Sequence, residues 1–224
     1  MPAIHLTVDI VVFHMLEDEL HVLLVKRGYD PFKNCWALPG GFVEENEALD
    51  DAVIRELKEE TSVTDVYCEQ LYTFGGLGRD PRHRTVTVAY MALMPSDKQP
   101  QLEAGTDAAD ASWFKVKKLP KLAFDHADIV AYGMERLQNK LEWTTAGFKL
   151  LPKRFTLTQL QRVYESVLGR ELDKRNFRRK VELLDVLDPL EKFDRSGSSR
   201  PARLYEFSEK RFEKLKDKGI LFPF

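Results

Sequence analysis

The chain has 224 residues, 43% of them hydrophobic and 31% charged, with two cysteines and a formal net charge of -2. That length accommodates one large domain or two modest ones. Cys35 and Cys68 lack CxxC spacing and histidine partners, which favours buried free thiols over a disulfide or zinc site and fits a reducing cytoplasm.

The N-terminus has no basic leader and no long apolar run, so neither a secretion signal nor a membrane span is expected. His5–Phe13 and Leu20–Arg27 read as two strands joined by the acidic turn Glu17-Asp18-Glu19, forming a hairpin. Trp36–Gly40 is strand-like, and a helix follows over about Glu47–Glu60, with Asn46 as its predicted N-cap. Val66–Thr73, Thr85–Leu93 and Ala111–Val116 carry further strand signals, separated by turns rich in Gly, Pro and Asp. A second helix starts after Asp125 and runs to about Leu141.

Residues 143–154 read as a connector between a domain at 1–142 and another at 155–224. Thr156 or Thr158 caps a helix with Leu157, Leu160, Tyr164, Val167 and Leu168 on one stripe, ending at Gly169. Asp173 caps the next, in which Phe177, Val181 and Leu184 face inward and Lys174, Arg175, Asn176, Arg178, Arg179 and Lys180 face outward. Val186–Leu190 and Ala202–Phe207 then flank a basic hairpin tip, and a last helix covers about Glu209–Lys218. Charge follows the same division. Residues 1–149 hold 16 Lys and Arg against 24 Asp and Glu, a balance of -8, whereas residues 150–224 hold 18 against 12, a balance of +6.

Two constellations carry chemistry. On the first helix Glu56, Glu59 and Glu60 share one face, where three carboxylates repel unless cations sit among them. Oxygen-only ligands suit Mg²⁺ or Mn²⁺ bridging to substrate phosphates; the bland alternative is an acidic solvated face. Helix, short turn, basic helix and basic hairpin is the order of a winged helix-turn-helix. Asn176 and the arginines of the basic helix would reach base edges in a major groove, with Arg200 or Arg203 on phosphate or minor groove. The alternatives are a solvated basic helix, or RNA or protein binding, for which no aromatic stacking platform on a sheet is visible.

The string Gly41, Glu47, Arg55, Glu56, Leu57, Glu59, Glu60, Val63 resembles the Nudix box, G-x5-E-x7-R-E-U-x-E-E-x-G-U, and departs from it only at Ser62, where the family has Gly. The resemblance implies an α/β fold, a Nudix α/β/α sandwich. It further implies a metal set of Gly41, Glu56, Glu59 and Glu60, water activated by Glu59 or Glu60, and Arg55 paired with Glu47. Tyr72–Arg82 and Arg84–Tyr90 look like the ADP-ribose-handling branch. On that reading Arg27, Arg79, Asp80 and Arg82 would handle the pyrophosphate, and Phe32, Trp36 or Phe74 would stack on adenine; plain core packing is the alternative for the aromatics. The five histidines are scattered and receive no role.

The run Phe155-Thr156-Leu157, Leu160-Gln161, Tyr164-Glu165, Leu168-Gly169 and Asn176–Lys180 is similar to Nudix-related transcriptional regulators of NAD metabolism. That resemblance implies a dimeric repressor that senses ADP-ribose or a related nucleotide and holds double-stranded operator DNA, with hydrolysis of ADP-ribose as an alternative or additional activity.

Overall fold

The structure is a computed structural model, describing residues 3–61, 63, 66–98, 108–195 and 201–216. The chain divides into two compact units, Met1–His14, His21–Met94 and Lys98–Arg136 in the first, and Met15–Leu20, Pro95–Asp97 and Leu137–Phe224 in the second.

The first unit is built on a mixed sheet with strand order β3-β2-β1-β6-β5. Its strands are β1 (His5–Leu16), β2 (Glu19–Arg27), β3 (Trp36–Ala37), β4 (Gly40–Phe42), β5 (Tyr67–Phe74), β6 (Thr85–Met94) and β7 (Ala108–Lys115), with β4 paired to β1 and β7 to β2. β1 and β6 run parallel, from His5 opposite Thr85 to His14 opposite Met94. The helices α1 (Leu49–Thr61) and α2 (His126–Trp143) explain why β1 is an almost unbroken apolar run. Its Val8, Ile10 and Val12 pack with Ala52, Val53 and Leu57 of α1, while Val11, pointing the other way, lies against Gly133 of α2. Burying Val53 and Leu57 contributes about 1.5–3 kcal/mol each. Gly40, at φ +150°, has room only for hydrogen, because a Cβ there would stand 2.1 Å from the Val8 carbonyl oxygen.

The predicted N-cap at Asn46 is not used. The helix begins at Leu49, and Ala52 donates to the Ala48 carbonyl. Glu47 therefore sits in the turn before α1, free to reach Arg55. Ser62, the one departure from the box, lies outside the described residues.

The second unit contains α3 (Ala146–Lys149), α4 (Leu157–Leu168), α5 (Lys174–Leu184), α6 (Glu209–Lys216) and a sheet of order β8-β10-β9, from Phe155–Thr156, Ala202–Phe207 and Leu187–Asp194. Thr156 caps α4 through a full capping box: its hydroxyl accepts from the Gln159 amide, and the Gln159 side chain accepts from the Thr156 amide. Gly169 ends α4 in the left-handed conformation at φ +68°. Asp173 then accepts from the Asn176 amide at 2.8 Å to start α5. Leu160, Val163, Tyr164 and Val167 of α4 and Phe177, Val181 and Leu184 of α5 are buried, with Tyr164 edge-on to Phe177. The Leu20 amide, a short piece of this unit remote in sequence, donates to Ser166 Oγ at 2.8 Å. Helix, turn, helix and β9-β10 hairpin form a winged helix; Arg200 at the hairpin tip lies outside the described residues, as does the predicted end of the last helix.

Candidate functional site

The carboxylates of the first site are organised by Arg55 on α1. Its Nε and Nη2 bind Glu47 at 2.7 and 2.9 Å, Nη1 binds Glu56 at 2.7 Å, and Nη2 also donates to the Phe42 carbonyl at 3.1 Å. Glu59 lies farther from Nη1, at 3.4 Å, and its side chain is 60% exposed. The Arg55 bonds, aided by the Glu44 amide, hold the Glu47 carboxyl down to about 2. Burial instead raises the Glu56 carboxyl, against the opposing pull of Arg55. A Cβ on Gly41 would fall 2.2 Å from Glu56 Oε1, so only glycine lets the backbone lie against that carboxylate. Glu60 accepts from the Gly40 amide at 2.8 Å.

Among the described residues no three acidic, histidine or cysteine side chains already converge as a finished metal cage. The donors nonetheless fit a hard divalent cation: the set is oxygen-only, and Gly41 offers bare backbone beside Glu56.

Next to these carboxylates is a small cavity of about 80 Å³, lined among others by Arg27, Tyr29, Phe42, Glu60, Arg82 and His126. Enclosed ligand sites usually measure about 300–1,000 Å³, so a nucleoside diphosphate has to open this one or lie along its mouth. Ion pairs organise its walls. Arg79, whose side chain is 5% exposed, makes a two-point bond to Asp125 at 3.0 and 2.7 Å and a third to Asp9 at 3.0 Å. His126 Nδ1 accepts from the Leu38 amide at 2.8 Å, which places the ring proton on Nε2, 3.5 Å from Asp9. Burial lowers the His126 pKa and keeps the ring neutral. Arg82 makes a two-point bond to Asp80, whose burial would raise its carboxyl but whose bonds to Arg82 bring it lower.

Arg27 differs from the other two arginines. Its Nε donates to the Pro31 carbonyl at 2.9 Å, and its guanidinium lies 4.9 Å from the Tyr29 ring and 4.8 Å from the Phe124 ring. Its Nη2 is buried with no hydrogen-bond partner among the described residues.

Arg27, Arg79, Asp80 and Arg82 thus line one cavity, as do Gly41 and Glu60. Phe32 and Trp36 do not line it: Phe32 meets Phe124 edge-on, and Trp36 packs edge-on to Phe114. Phe74 is in a separate cluster with Tyr72 and Tyr132. The aromatics that do line the cavity are Tyr29 and Phe42, 46% and 44% exposed, together with Phe124. Sequence reasoning passed over these two, and it passed over Asp9, Asp125 and His126. The Arg27-Gly-Tyr29 spacing and the place of Phe42 inside the box were the available signals; nothing local marked Asp9 or Asp125 as partners of Arg79.

The second unit presents its charge on α5. Lys174, Arg175, Asn176 and Arg179 are exposed, and Arg178 and Lys180 are half-buried. Arg179 Nη2 donates to Asn176 Oδ1 at 3.0 Å, which steadies both side chains on one face. Arg203 of β10 is exposed, 6.0 Å from the Phe193 ring. No helix among the described residues is long and apolar enough to cross a membrane.

Comparison with known proteins bears on both units. Residues 5–133 match the NUDIX domain family and residues 147–207 the NrtR DNA-binding winged helix domain. The chain is 36% identical to the ADPR responsive transcriptional repressor NtrR of Acinetobacter baylyi, over 99% of this chain and 87% of that protein. The crystal structure of Shewanella oneidensis NrtR complexed with a 27mer DNA is 38% identical, with a TM-score of 0.79, covering 93% of this chain and 95% of the other. The NUDIX domain of the same Shewanella protein complexed with ADP ribose is 42% identical, with a TM-score of 0.56, covering 61% of this chain and 90% of the other. A Nudix sandwich and an NrtR winged helix in one chain, aligned nearly end to end with a repressor of the same make-up, place this protein in the NrtR family of Nudix-containing transcriptional regulators.

Proposed function

We propose that the protein is an ADP-ribose-responsive transcriptional repressor, acting as a homodimer in the cytoplasm on operator DNA of NAD-metabolism genes. The observation that carries this reading is the pairing, within one chain, of the Arg27 cavity with the exposed basic face of α5. Residues 1–142 bind the ligand, 143–154 connect, and 155–224 hold DNA. In the first part Arg27 supplies a charged donor for the diphosphate, with Arg79, Asp80 and Arg82 around it. In the second, Lys174, Arg175, Asn176, Arg178, Arg179, Lys180, Arg200 and Arg203 meet the duplex.

Nudix proteins use a divalent metal, and here we assign Mg²⁺, with Mn²⁺ as substitute, to Gly41, Glu56, Glu59 and Glu60. When bound, the cation would neutralise charge on the diphosphate and lower the pKa of an attacking water. Arg55 orients the carboxylates through Glu47 and Glu56, and Glu59 or Glu60 takes the proton of the water.

One titration tests the main reading: binding of duplex from upstream of NAD-synthesis genes, measured against ADP-ribose with and without Mg²⁺, with AMP release followed in the same tube. Preference for that duplex over a random one, altered by ADP-ribose, is the expected result. No preference at physiological salt overturns it. The intact carboxylate set favours a second activity, ADP-ribose pyrophosphatase, which yields AMP and ribose 5-phosphate. If present, that activity disappears in Glu59→Gln and Glu60→Gln; absence of turnover with either metal leaves the box as a binding site alone.

A further inference from the structure

The second unit contains a cavity of about 470 Å³ between the start of α4, the first turns of α5 and the wing strand β10. Among the described residues its walls bear the cations Lys174, Arg178 and Arg203 and the hydroxyls of Thr158 and Tyr205, and no carboxylate. Elsewhere in the same unit cations sit on acids: Arg154 on Glu206 at 3.0 Å, Arg162 on Glu165 at 3.2 Å, and Arg211 on Asp185 at 2.6 Å. Three cations facing one hollow without an acid repel one another unless an anion enters. Arg178 adds a second sign, because its Nε is buried and has no hydrogen-bond partner among the described residues.

Lys174 and Arg178 are four residues apart, so they share one face of α5 and turn towards the cavity together. Arg175, Asn176 and Arg179 are absent from its walls and are exposed, with Asn176 and Arg179 joined by a hydrogen bond. The basic residues of α5 therefore fall into two sets with different surroundings. One set surrounds a hollow whose charge, and whose room for a stretch of sugar-phosphate backbone, suit an anionic group; the other presents planar forks and an amide outward, the shapes that read base edges.

We infer that this cavity is a seat for a phosphodiester group of the DNA backbone, held by Lys174, Arg178, Arg203 and the Thr158 and Tyr205 hydroxyls. It fixes the register of α5 on the duplex, while Arg175, Asn176 and Arg179 discriminate sequence. The inference rests on the DNA-binding reading proposed above. It assigns Arg178 and Lys174 to sequence-independent contact and brings Thr158 and Tyr205 into the interface.

The test uses the full-length protein and fluorescence anisotropy between 50 and 300 mM NaCl. Two 27-bp duplexes serve as probes, one of random sequence and one selected for tight binding from a random pool. Arg178→Met and Arg203→Met should weaken both duplexes by the same factor, leave their affinity ratio unchanged, and reduce the slope of log affinity against log salt by about 1 each. Arg178→Lys should restore the slope, since a phosphate requires charge more than a planar fork. Arg175→Met and Arg179→Met should lower the ratio of selected to random affinity by roughly tenfold. A change in that ratio for Arg178→Met with an unchanged slope, or failure of Arg178→Lys to rescue a variant whose circular dichroism is native, overturns the seat. So does displacement of the random duplex by 10 mM inorganic phosphate at constant ionic strength in the wild type but not in Arg178→Met, which would mark a site for free anions. If the wild type bound neither duplex, the DNA-binding reading itself would fall; binding with the wild-type slope in Arg178→Met and Arg203→Met removes only the seat.

Discussion

The cavity of the first unit and the hollow of the second handle most of their positive charge in opposite ways. In the cavity of the first unit Arg79 lies on Asp125 and Asp9, Arg82 lies on Asp80, and beside it Arg55 lies on Glu47 and Glu56. On the winged helix, Lys174, Arg178 and Arg203 share a hollow with no acid. Internal pairs fix geometry before any ligand arrives, at the cost of competing with it; unpaired cations leave attraction unspent, and salt screens what is exposed. A small molecule that must be distinguished by shape suits the first arrangement, and a long polyanion approached from solution suits the second.

The strongest way to break this contrast is to remove the centre of the paired network. Arg79→Ala leaves Asp9 and Asp125 facing each other beside a neutral histidine. It should cost about 3–5 kcal/mol, the penalty for an uncompensated buried charge, read as a lower denaturation midpoint of the first unit. A loss under 1 kcal/mol would mean that the network does not organise the unit. Arg27 makes the opposite case within the same cavity. Because its Nη2 has no partner among the described residues, Arg27→Met should weaken ADP-ribose binding in calorimetry by about 1.5–3 kcal/mol, the range for hydrogen bonds to charged groups, while the loss of its Pro31 bond and ring contacts should lower the unfolding temperature far less than Arg79→Ala does.

The pH dependence sharpens the contrast further. Burial depresses the His126 pKa below its ordinary 6.5, so the folded protein keeps the ring neutral while the unfolded chain takes up a proton. Its contribution to stability is therefore complete above about pH 6.5 and is lost as pH falls below, with a slope of at most about 1.4 kcal/mol per pH unit. Urea titrations at pH 7.5, 6.5 and 5.5 measure it. His126→Asn, which keeps an acceptor for the Leu38 amide, should flatten that slope. The smallest effect belongs to the second unit, which relies on caps more than on buried ion pairs: Thr156→Ala should cost about 1 kcal/mol through the lost box with Gln159, with urea titration at fixed pH as the check.

What could be read from the sequence was local chemistry. Thr156 or Thr158 ahead of the apolar stripe, Gly169 after Leu168, and Asp173 ahead of the basic helix announce helix ends locally; the structure uses Thr156, with Gln159 completing its box, and Gly169 and Asp173 as expected. The carboxylate face of α1 and the Glu47–Arg55 pair came with the box. Asn46 misled because the turn before α1 draws Glu47 to Arg55 and delays the helix to Leu49. The engagement of Arg79 was not legible, since its partners lie 46 and 70 residues away, and only the folded sheet and α2 bring Asp125 and Asp9 to it. Phe32 and Trp36 show the same limit: an aromatic near a loop reads alike whether it faces a ligand or, as here, another ring.

The parallel pairing of β1 with β6 has a consequence for how the protein is born. His5 finds its place beside Thr85, a separation of 80 residues, and so does every position up to His14 beside Met94. At about 5–20 residues per second of synthesis, β1 waits roughly 4–16 seconds for its parallel neighbour, with β2, β4 and α1 emerging first to cover part of its apolar surface. Long-range strand pairing of this kind slows folding, whereas α4 and α5 are neighbours in sequence. The Nudix sheet is thus where a chaperone would most readily find this chain, and destabilising substitutions in β1 would show first as lost yield.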